Sequence, residues 1–273
     1  MQGFMSSHRE DTGKGLAILF HGWEGSVNST YIRCTGEALF RRGFNVFRLN
    51  FRDHGETHHL NHDPFRSDRL DEVFEAVRQI ADKYGDLPVF LTGFSLGGNF
   101  ALRIARKCSE ISIPGLKLVV GISPLMNPVK STAVIDKIPW MRLYFLKKWF
   151  RSMGKKEVAF PGDFDFTEAK TLRTCMAITE LLIEKQSPFP NVTEYFNTYS
   201  LLPDFFDRLT VPTLIIASKD DPAIPVKDVL ALKENPLLRR SITSHGGHCG
   251  FIENIKLGSW LNHVLPDLFG KCE

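Results

Sequence analysis

The amino-acid sequence predicts an α/β fold built on a mostly parallel, doubly wound sheet. Short apolar runs rich in β-branched and aromatic residues alternate with helical patterns, which is the order of a βαβ fold. These runs are apolar at nearly every position, as strands buried on both faces of a parallel sheet are. The expected strands are residues 16–20, 45–50, 88–92, 116–122 and 213–218, with a weaker one at 240–244.

Helical periodicity occupies the intervals between these strands. The clearest pattern covers residues 68–84, where apolar side chains recur every three or four positions and acidic residues occupy the first turn, as the helix dipole favours. Further patterns predict helices over 30–42, 96–107 and 252–265. Right-handed crossovers between parallel strands place the carboxyl ends of the strands along one edge of the sheet.

One long segment, residues 127–207, interrupts this alternation. It shows no strand pattern, and it carries aromatic-rich helical stretches such as residues 138–150. A connection of roughly 80 residues is far longer than the loops of a compact domain. We therefore predict a single domain over residues 1–273, with a helical insertion at 127–207 that lies over the sheet.

Composition and charge argue against several classes of protein. The chain is 43% hydrophobic and 24% charged, which is typical of globular proteins, and a net charge of +3 without a long basic run argues against nucleic-acid binding. Its five cysteines are scattered without a CxxC pair, so we expect neither structural disulfides nor a zinc site. We see no secretory signal and no run of about 18 apolar residues, and we predict a cytoplasmic protein.

The segment GFSLGG, residues 93–98, places one serine among three glycines where a predicted strand meets a predicted helix. The pattern G-x-S-x-G in this setting is a nucleophile elbow, a sharp turn that presents the Ser95 hydroxyl at the end of the sheet. Gly93 and Gly97 leave room on both sides of the turn. The free amides at the helix start, including that of Leu96, can stabilise a developing oxyanion.

A nucleophilic serine needs a base and an orienting acid, which in this arrangement follow it in the order acid, then histidine. The candidate acids Asp220 and Asp221 come directly after the strand 213–218. The spacing D-x-x-x-P favours Asp221 and leaves a structural role in the turn for Asp220. The candidate bases are His245 and His248. Glycines on both sides favour His248, and His245 is then expected to bond within the fold.

The loop after the first strand can supply the second amide that an oxyanion hole needs. It reads FHGWEGS, residues 20–26, and we predict that the backbone N–H groups of Trp23 and Leu96 form the hole together. The elbow and the three loops, all at carboxyl ends of strands, predict a serine hydrolase. It would cleave carboxylic esters through an acyl-enzyme and would need neither a cofactor nor a metal.

Two other groups of residues have simpler interpretations. The loop 53–63 holds four histidines, among them His58 and His62 four positions apart, but it lacks a helical pattern and cysteine partners. We interpret it as a solvated loop near the mouth of the site rather than as a metal site. Cys249 stands beside the candidate base without an elbow around it and is predicted to be a small buried residue.

The aromatic residues of the insertion have a predicted role in substrate binding. The insertion leaves the sheet at the edge where Ser95 is expected, so Trp140 and Phe145 are predicted to line an apolar acyl pocket under a lid. The expected substrate is a small-molecule or lipid-like acyl ester. Lysines and arginines alongside these residues also suit peripheral contact with an anionic membrane surface.

Taken together, the motifs HGWEGSVNSTYI, NFRDHGET, GFSLGGN, SKDDPAIP and GGHCGF resemble those of the α/β-hydrolase superfamily, and within it the YheT/ABHD1–ABHD3-type branch. The resemblance implies an α/β-hydrolase fold, esterase or acyltransferase activity, and a catalytic triad of Ser95, Asp221 and His248. Fewer than twenty residues precede the first expected strand, so the leading strands of the usual sheet should be reduced or missing. An acyltransferase and a non-catalytic binding protein are the alternatives.

Overall fold

The computed structural model describes residues 1–8, 13–84 and 87–272, and these form a seven-stranded sheet. Its strands are β1 (Gln2–Ser6), β2 (Leu16–Phe20), β3 (Asn45–Asn50), β4 (Val89–Phe94), β5 (Leu116–Ile122), β6 (Thr213–Ser218) and β7 (Leu238–Thr243). The spatial order is β1-β3-β2-β4-β5-β6-β7. β1 pairs antiparallel with β3, and the other neighbouring pairs are parallel. The predicted fold class is confirmed.

The helices of the described residues cover both faces of this sheet. They are α1 (Thr30–Arg41), α2 (Leu70–Lys83), α3 (Leu96–Lys107), α4 (Pro128–Lys137), α5 (Pro139–Ala159), α6 (Thr167–Thr171), α7 (Cys175–Gln186), α8 (Val192–Asn197), α9 (Val226–Leu230) and α10 (Leu261–Phe269). α1 and α10 pack together on one face, and α2 and α3 on the other. Among the described residues, no helix combines the length and apolar character that crossing a bilayer requires.

Side chains of the central strands alternate between two hydrophobic cores. In β2, Leu16, Ile18 and Phe20 belong to the core beneath α2 and α3, whereas Ala17 and Leu19 belong to the core beneath α1 and α10. This alternation follows from the two-residue period of a strand, and it explains why the strand is apolar throughout. Burying one such leucine or phenylalanine contributes roughly 1.5–3 kcal/mol.

Two elements differ from the sequence analysis. β1 was not predicted, because it is an antiparallel edge strand with three exposed residues and no apolar run. The helix predicted over 252–265 is wrong at its start, since α10 begins at Leu261. The Asn254 side chain accepts hydrogen bonds from the amides of Lys256 and Gly258, which holds that stretch in a turn instead of a helix.

The insertion, residues 127–207, forms α4 to α8 and contains no strand; all of its residues are described. Its helices share a small core of Leu146, Met153, Phe166 and Ile178. The insertion thus has apolar packing of its own in addition to its contacts with the sheet domain.

A buried ion pair ties α5 to the loop after β3. The Lys156 ammonium lies 3.0 Å from the Asp53 carboxylate, and both side chains are almost fully buried. Lys156 also donates to the backbone oxygen of Asn61 (2.5 Å), and Asp53 accepts from the amide of Phe65 (2.8 Å). Removing one partner of such a pair typically costs about 3–5 kcal/mol, because the other charge is left buried and unpaired. The pair therefore holds the insertion in a defined position over the sheet edge.

Glycines allow α3 to approach β2 and β4 closely. A Cβ atom at Gly97 would lie 2.4 Å from the carbonyl oxygen of His21, and one at Gly93 would lie 2.0 Å from the carbonyl oxygen of Gly97. Both clashes are with backbone, which cannot move aside as a flexible side chain can. These two positions exclude any side chain, as the sequence pattern indicated.

Replacing Gly97 with alanine should therefore destabilise the protein by about 1–3 kcal/mol or more, the usual cost of overpacking. Gly36→Ala in α1 is the matched control, since its new Cβ would have no atom nearer than 3.5 Å. That change removes a glycine from a helix and should raise stability by about 0.5–1 kcal/mol. Urea unfolding followed by circular dichroism measures both, and equal stability of the two variants would contradict the close approach.

Candidate active site

Ser95 stands in a strained turn between β4 and α3. Its backbone has φ 55° and ψ −118°, a region that costs a non-glycine residue about 1–3 kcal/mol. The Ser95 amide donates to the oxygen of Ile122 (2.9 Å), and the Ser95 oxygen accepts from the amides of Asn99 (3.0 Å) and Leu125 (3.1 Å). These bonds hold the turn that the sequence predicted as a nucleophile elbow.

The side chains of Ser95, His248 and Asp221 form one chain of hydrogen bonds. Ser95 Oγ lies 3.0 Å from His248 Nε2, and His248 Nδ1 lies 2.9 Å from Asp221 Oδ2. The Asp221 carboxylate is buried and also accepts from the amides of Ala223 (2.8 Å) and Ile224 (3.0 Å), which fix its orientation. A proton on Nδ1, facing the carboxylate, leaves Nε2 free to accept the serine proton.

Opposing effects act on the pKa of His248. Burial lowers it, whereas the neighbouring Cys249 and the hydrogen bond to Asp221 raise it, and the net result is a pKa well above the ordinary value. A base of this kind is protonated at low pH and becomes available to take a proton as the pH rises.

The neighbouring candidates Asp220 and His245 occupy other positions. Asp220 accepts from the amide of Gly247 (2.9 Å) and so supports the turn before His248, which is the structural role expected of it. The His245 side chain is 90% exposed and lies 3.6 Å from the Asp220 carboxylate. His245 therefore pairs within the fold only through this exposed contact, because the chain has already left the sheet at this residue.

The loop after β2 lies directly against the serine. A Cβ atom at Gly22 would be 3.1 Å from Ser95 Cβ, and the Gly22 amide donates to the Tyr31 hydroxyl (2.9 Å). In the described part of the chain, neither the Trp23 amide nor the Leu96 amide has a hydrogen-bond partner. Two free donors thus flank Ser95, in the loops where the oxyanion hole is predicted.

A cavity of about 190 Å³ opens beside Ser95 and His248. The insertion provides much of its apolar wall, including Ile135, Phe145, Trp149, Met153, Phe166 and Ile183. The Phe145 ring stacks on Trp23 with centroids 5.0 Å apart, and the Trp149 ring meets Trp23 edge-on at 4.9 Å. The insertion therefore contacts the same loop that carries a predicted oxyanion donor.

The placement predicted for Trp140 is wrong. Its side chain is mostly exposed and does not line the cavity, whereas Phe145 does. Trp140 lies on the outer side of α5, while Phe145 and Trp149, four residues apart, share the inner side. Trp149, one of the aromatic residues of the insertion, was not singled out as a pocket residue, although its spacing from Phe145 was a signal that could have identified it.

Glu24 is a second residue of the cavity that the sequence analysis missed. It follows Trp23, has φ 55°, and its backbone oxygen accepts from the Lys148 ammonium (2.9 Å). Burial raises the pKa of its carboxyl group to about 8, which Lys148 opposes and Asp53 reinforces. At neutral pH this carboxyl is therefore mostly protonated, and it adds little negative charge beside the serine.

The histidines at the start of the loop 53–63 are buried, so their interpretation as solvated is wrong. The insertion covers this loop, and His54 and His58 both line the cavity. Burial is the main reason that the pKa of each imidazole falls to about 4. They are therefore neutral near pH 7. The described residues contain no cluster of three or more His, Cys, Asp or Glu side chains arranged to hold a metal.

His58 also forms a second serine–histidine contact in this cavity. Its Nε2 lies 2.8 Å from the Ser152 hydroxyl, and that hydroxyl donates to the backbone oxygen of Asp53 (3.2 Å). Within the described residues, the other ring nitrogen of His58 has no hydrogen-bond partner. This pair therefore lacks the orienting acid that His248 has.

Cys249 is buried next to His248, as predicted for a small packing residue. It belongs to the core beneath α1 and α10, together with Phe251 and Leu261. Among the described residues all five cysteines are free thiols.

A family model described as Hydrolase_4, "Serine aminopeptidase, S33", matches residues 11–242, most of the chain. The chain belongs to this hydrolase family. The resemblance to the α/β-hydrolase superfamily and its YheT/ABHD-type branch is confirmed, as is the assignment of the chain to hydrolases of the esterase type.

The sequence identity to individual relatives is low. "Putative esterase YheT" of Escherichia coli is 27% identical over 93% of this chain and 76% of its own length. "Medium-chain fatty acid ethyl ester synthase/esterase 2" of Saccharomyces cerevisiae is 23% identical, and the match covers 94% of this chain but 62% of the yeast protein. The solved Pyrococcus furiosus esterase PF2001 shares the fold, with a TM-score of 0.65 and 19% identity over 98% of this chain and 84% of that one.

The pH dependence of ester cleavage should show whether Asp221 orients His248. In the wild type, kcat/KM should rise with pH through the pKa of His248, which lies above the ordinary value of about 6.5. Asp221→Asn removes the charge that helps to raise this pKa, so the rise should move to lower pH. The plateau should fall by roughly 10⁴-fold, because the histidine takes the wrong tautomer.

Asp220→Asn is the matched control, since it also removes a carboxylate from the same turn. We expect a much smaller loss and an unshifted pH profile. If Asp220→Asn were the more damaging change, the orienting acid would be Asp220.

Proposed function

We propose that the protein is a serine esterase that cleaves carboxylic esters through an acyl-enzyme on Ser95. The observation that carries the proposal is the continuous chain of hydrogen bonds from Ser95 through His248 to Asp221. It stands at the carboxyl edge of the sheet, beside two free amides and an apolar cavity. Membership of a hydrolase family supports the same reaction type.

In the first half of the proposed reaction, Ser95 Oγ attacks the ester carbonyl while its proton passes to His248 Nε2. Asp221 stabilises the resulting imidazolium, and the amides of Trp23 and Leu96 donate to the oxyanion of the tetrahedral intermediate. When this intermediate collapses, His248 gives the proton to the departing alcohol oxygen, and the acyl group stays on Ser95.

In the second half, His248 takes a proton from a water molecule, which attacks the acyl-enzyme carbonyl. The same amides hold the second oxyanion, and the carboxylic acid leaves as the proton returns to Ser95. An alcohol that replaced the water would give a new ester. The yeast relative is named as both an ester synthase and an esterase, which supports acyl transfer as the second candidate.

Ser152 is the rival nucleophile, and the local geometry disfavours it. Ser152 lies within α5, where the backbone amides are engaged in helical hydrogen bonds and are not free to stabilise an oxyanion. Its own proton is directed to the Asp53 carbonyl. With a pKa near 4, His58 is also a weaker base than His248.

The cavity supports an acyl group of substantial apolar character. Phe145, Trp149 and Phe166 contribute to a wall that removes substrate methylene groups from water, each worth up to about 0.8 kcal/mol. We propose that the insertion 127–207 is a lid within one domain, as the sequence predicted. A cytoplasmic location is part of the proposal and is supported by the five free cysteines.

Replacing Ser95 with alanine tests the reaction. We expect kcat for p-nitrophenyl esters to fall on the order of 10⁴–10⁶-fold with the fold intact, as loss of a triad member does in other serine hydrolases. A fluorophosphonate probe should label the wild type but not the variant. Substantial activity in purified Ser95→Ala protein would overturn the proposal, and absence of both labelling and turnover in the wild type would favour a binding protein.

Acyl-chain preference tests the wall of the cavity. Phe145→Ala and Trp149→Ala widen it, so the acyl length giving the highest kcat/KM should change in a series from two to sixteen carbons. Trp140→Ala removes a similar ring from the outer side of α5 and should leave that preference unchanged. A flat profile, or a shift produced by Trp140→Ala alone, would show that this wall does not bind the acyl chain.

A further inference from the structure

Basic residues are concentrated in the segment that ends α4 and forms most of α5, the longest helix of the insertion. Residues 137–156 contain seven lysines and arginines and no acidic residue, whereas the whole chain has a net charge of +3. The rest of the protein is therefore net negative. In the described residues, Lys137, Lys147 and Arg151 are exposed and form no ion pair with an acidic side chain.

The same side of α5 exposes large apolar groups. Trp140 is 65% exposed, and Leu143 and Tyr144 are each more than half exposed. Their spacing of three and four residues continues to Lys147, so they form one helical face with an apolar first half and a basic second half. Tryptophan and tyrosine next to lysine and arginine are typical of helices that lie in a membrane interface.

A second exposed apolar segment follows the proposed base. In the loop 252–257, Ile255 is 98% exposed, and Ile252 and Leu257 are each more than half exposed. Lys256 lies between Ile255 and Leu257. The one acidic residue of this loop, Glu253, is paired with His263 at 3.0 Å. The loop thus also combines exposed aliphatic groups with a lysine that forms no ion pair with any acidic side chain of the described residues.

Tyr31 lies near the start of the loop 252–257 and near the loop that α5 contacts. It packs in the core that contains Cys249 and Phe251, just before the loop, and its ring contacts Phe94 at 4.8 Å. Tyr144 of α5 lies against the Lys148 ammonium, 4.8 Å from its ring, and this ammonium donates to the Glu24 backbone oxygen, while the Tyr31 hydroxyl accepts from the Gly22 amide of the same loop. Tyr144 and Tyr31 therefore both approach the loop 22–24, which lies against Ser95, and the loop 252–257 begins four residues after His248.

We propose that these two segments, the α5 outer face and the loop 252–257, dock the protein on an anionic lipid surface. Their apolar side chains project from a helix and from a loop instead of lining a groove, which suits insertion among lipid headgroups better than a shaped protein partner. Basic residues near such a surface are attracted by its negative potential, and added salt screens that attraction. The proposal deepens the proposed function, because docking would bring lipid-borne esters to Ser95.

Vesicle sedimentation with Ser95→Ala protein tests docking separately from catalysis. The protein should bind phosphatidylcholine vesicles containing 30% phosphatidylglycerol at least tenfold more tightly than pure phosphatidylcholine, and added salt should weaken binding. Leu143→Asp combined with Ile255→Asp should reduce binding tenfold or more. Ile111→Asp is the control. Ile111 is similarly exposed, but it lies in the connection between α3 and β5, at the amino-terminal ends of the strands.

Equal binding to both vesicle types, or an equal loss in the Ile111→Asp control, would overturn the proposal. So would size-exclusion chromatography showing a dimer that Leu143→Asp dissociates, because the face would then bind a second copy of the chain.

Activity separates this proposal from the proposed function. On the wild-type Ser95 background, the double variant should hydrolyse a short soluble ester normally and a vesicle-embedded ester more slowly. Equal turnover of the embedded ester would contradict docking. If the wild type hydrolysed neither ester but bound anionic vesicles, the esterase proposal would fail and the docking proposal would stand.

Discussion

Ser95 holds a backbone conformation that a side chain disfavours, and the architecture around it compensates for the strain. Hydrogen bonds to Ile122, Asn99 and Leu125 fix the turn, while glycines at 93 and 97 let the helix and strands approach without a side chain between them. The turn, whose strain costs about 1–3 kcal/mol, brings the Ser95 hydroxyl and the Leu96 amide close together. Every other part of the site is positioned relative to that turn.

The insertion also contacts the loops around Ser95. Lys156 pairs with Asp53 inside the protein, and Phe145 and Trp149 pack on Trp23, whose amide is one of the proposed oxyanion donors. A shift of α5 would therefore disturb both the wall of the cavity and the loop beside the serine. In the proposed reaction, this arrangement would couple binding of the acyl group to the geometry around Ser95. The insertion also contacts His58 through Ser152, and burial lowers the pKa of that imidazole to about 4.

Features with a local pattern were predictable from the sequence. The buried parallel strands, the elbow around Ser95 and the loops after β2 and β6 each have a short signature, and their order along the chain relates them to one another. Features made by distant contacts were not predictable. The Asp53–Lys156 pair joins residues about a hundred positions apart, and the burial of His58 depends on how the insertion folds back. Trp140 was misplaced because composition does not indicate which side of a helix faces inward.

Rapid quenching of the reaction with a p-nitrophenyl ester, followed by peptide mass mapping, tests the central claim most directly. If Ser95 is the nucleophile, one acyl group per chain should accumulate on the peptide that contains Ser95, together with a burst of p-nitrophenol, and His248→Ala should abolish both. An acyl group on the Ser152 peptide, or steady turnover with no covalent adduct on any peptide, would contradict the account.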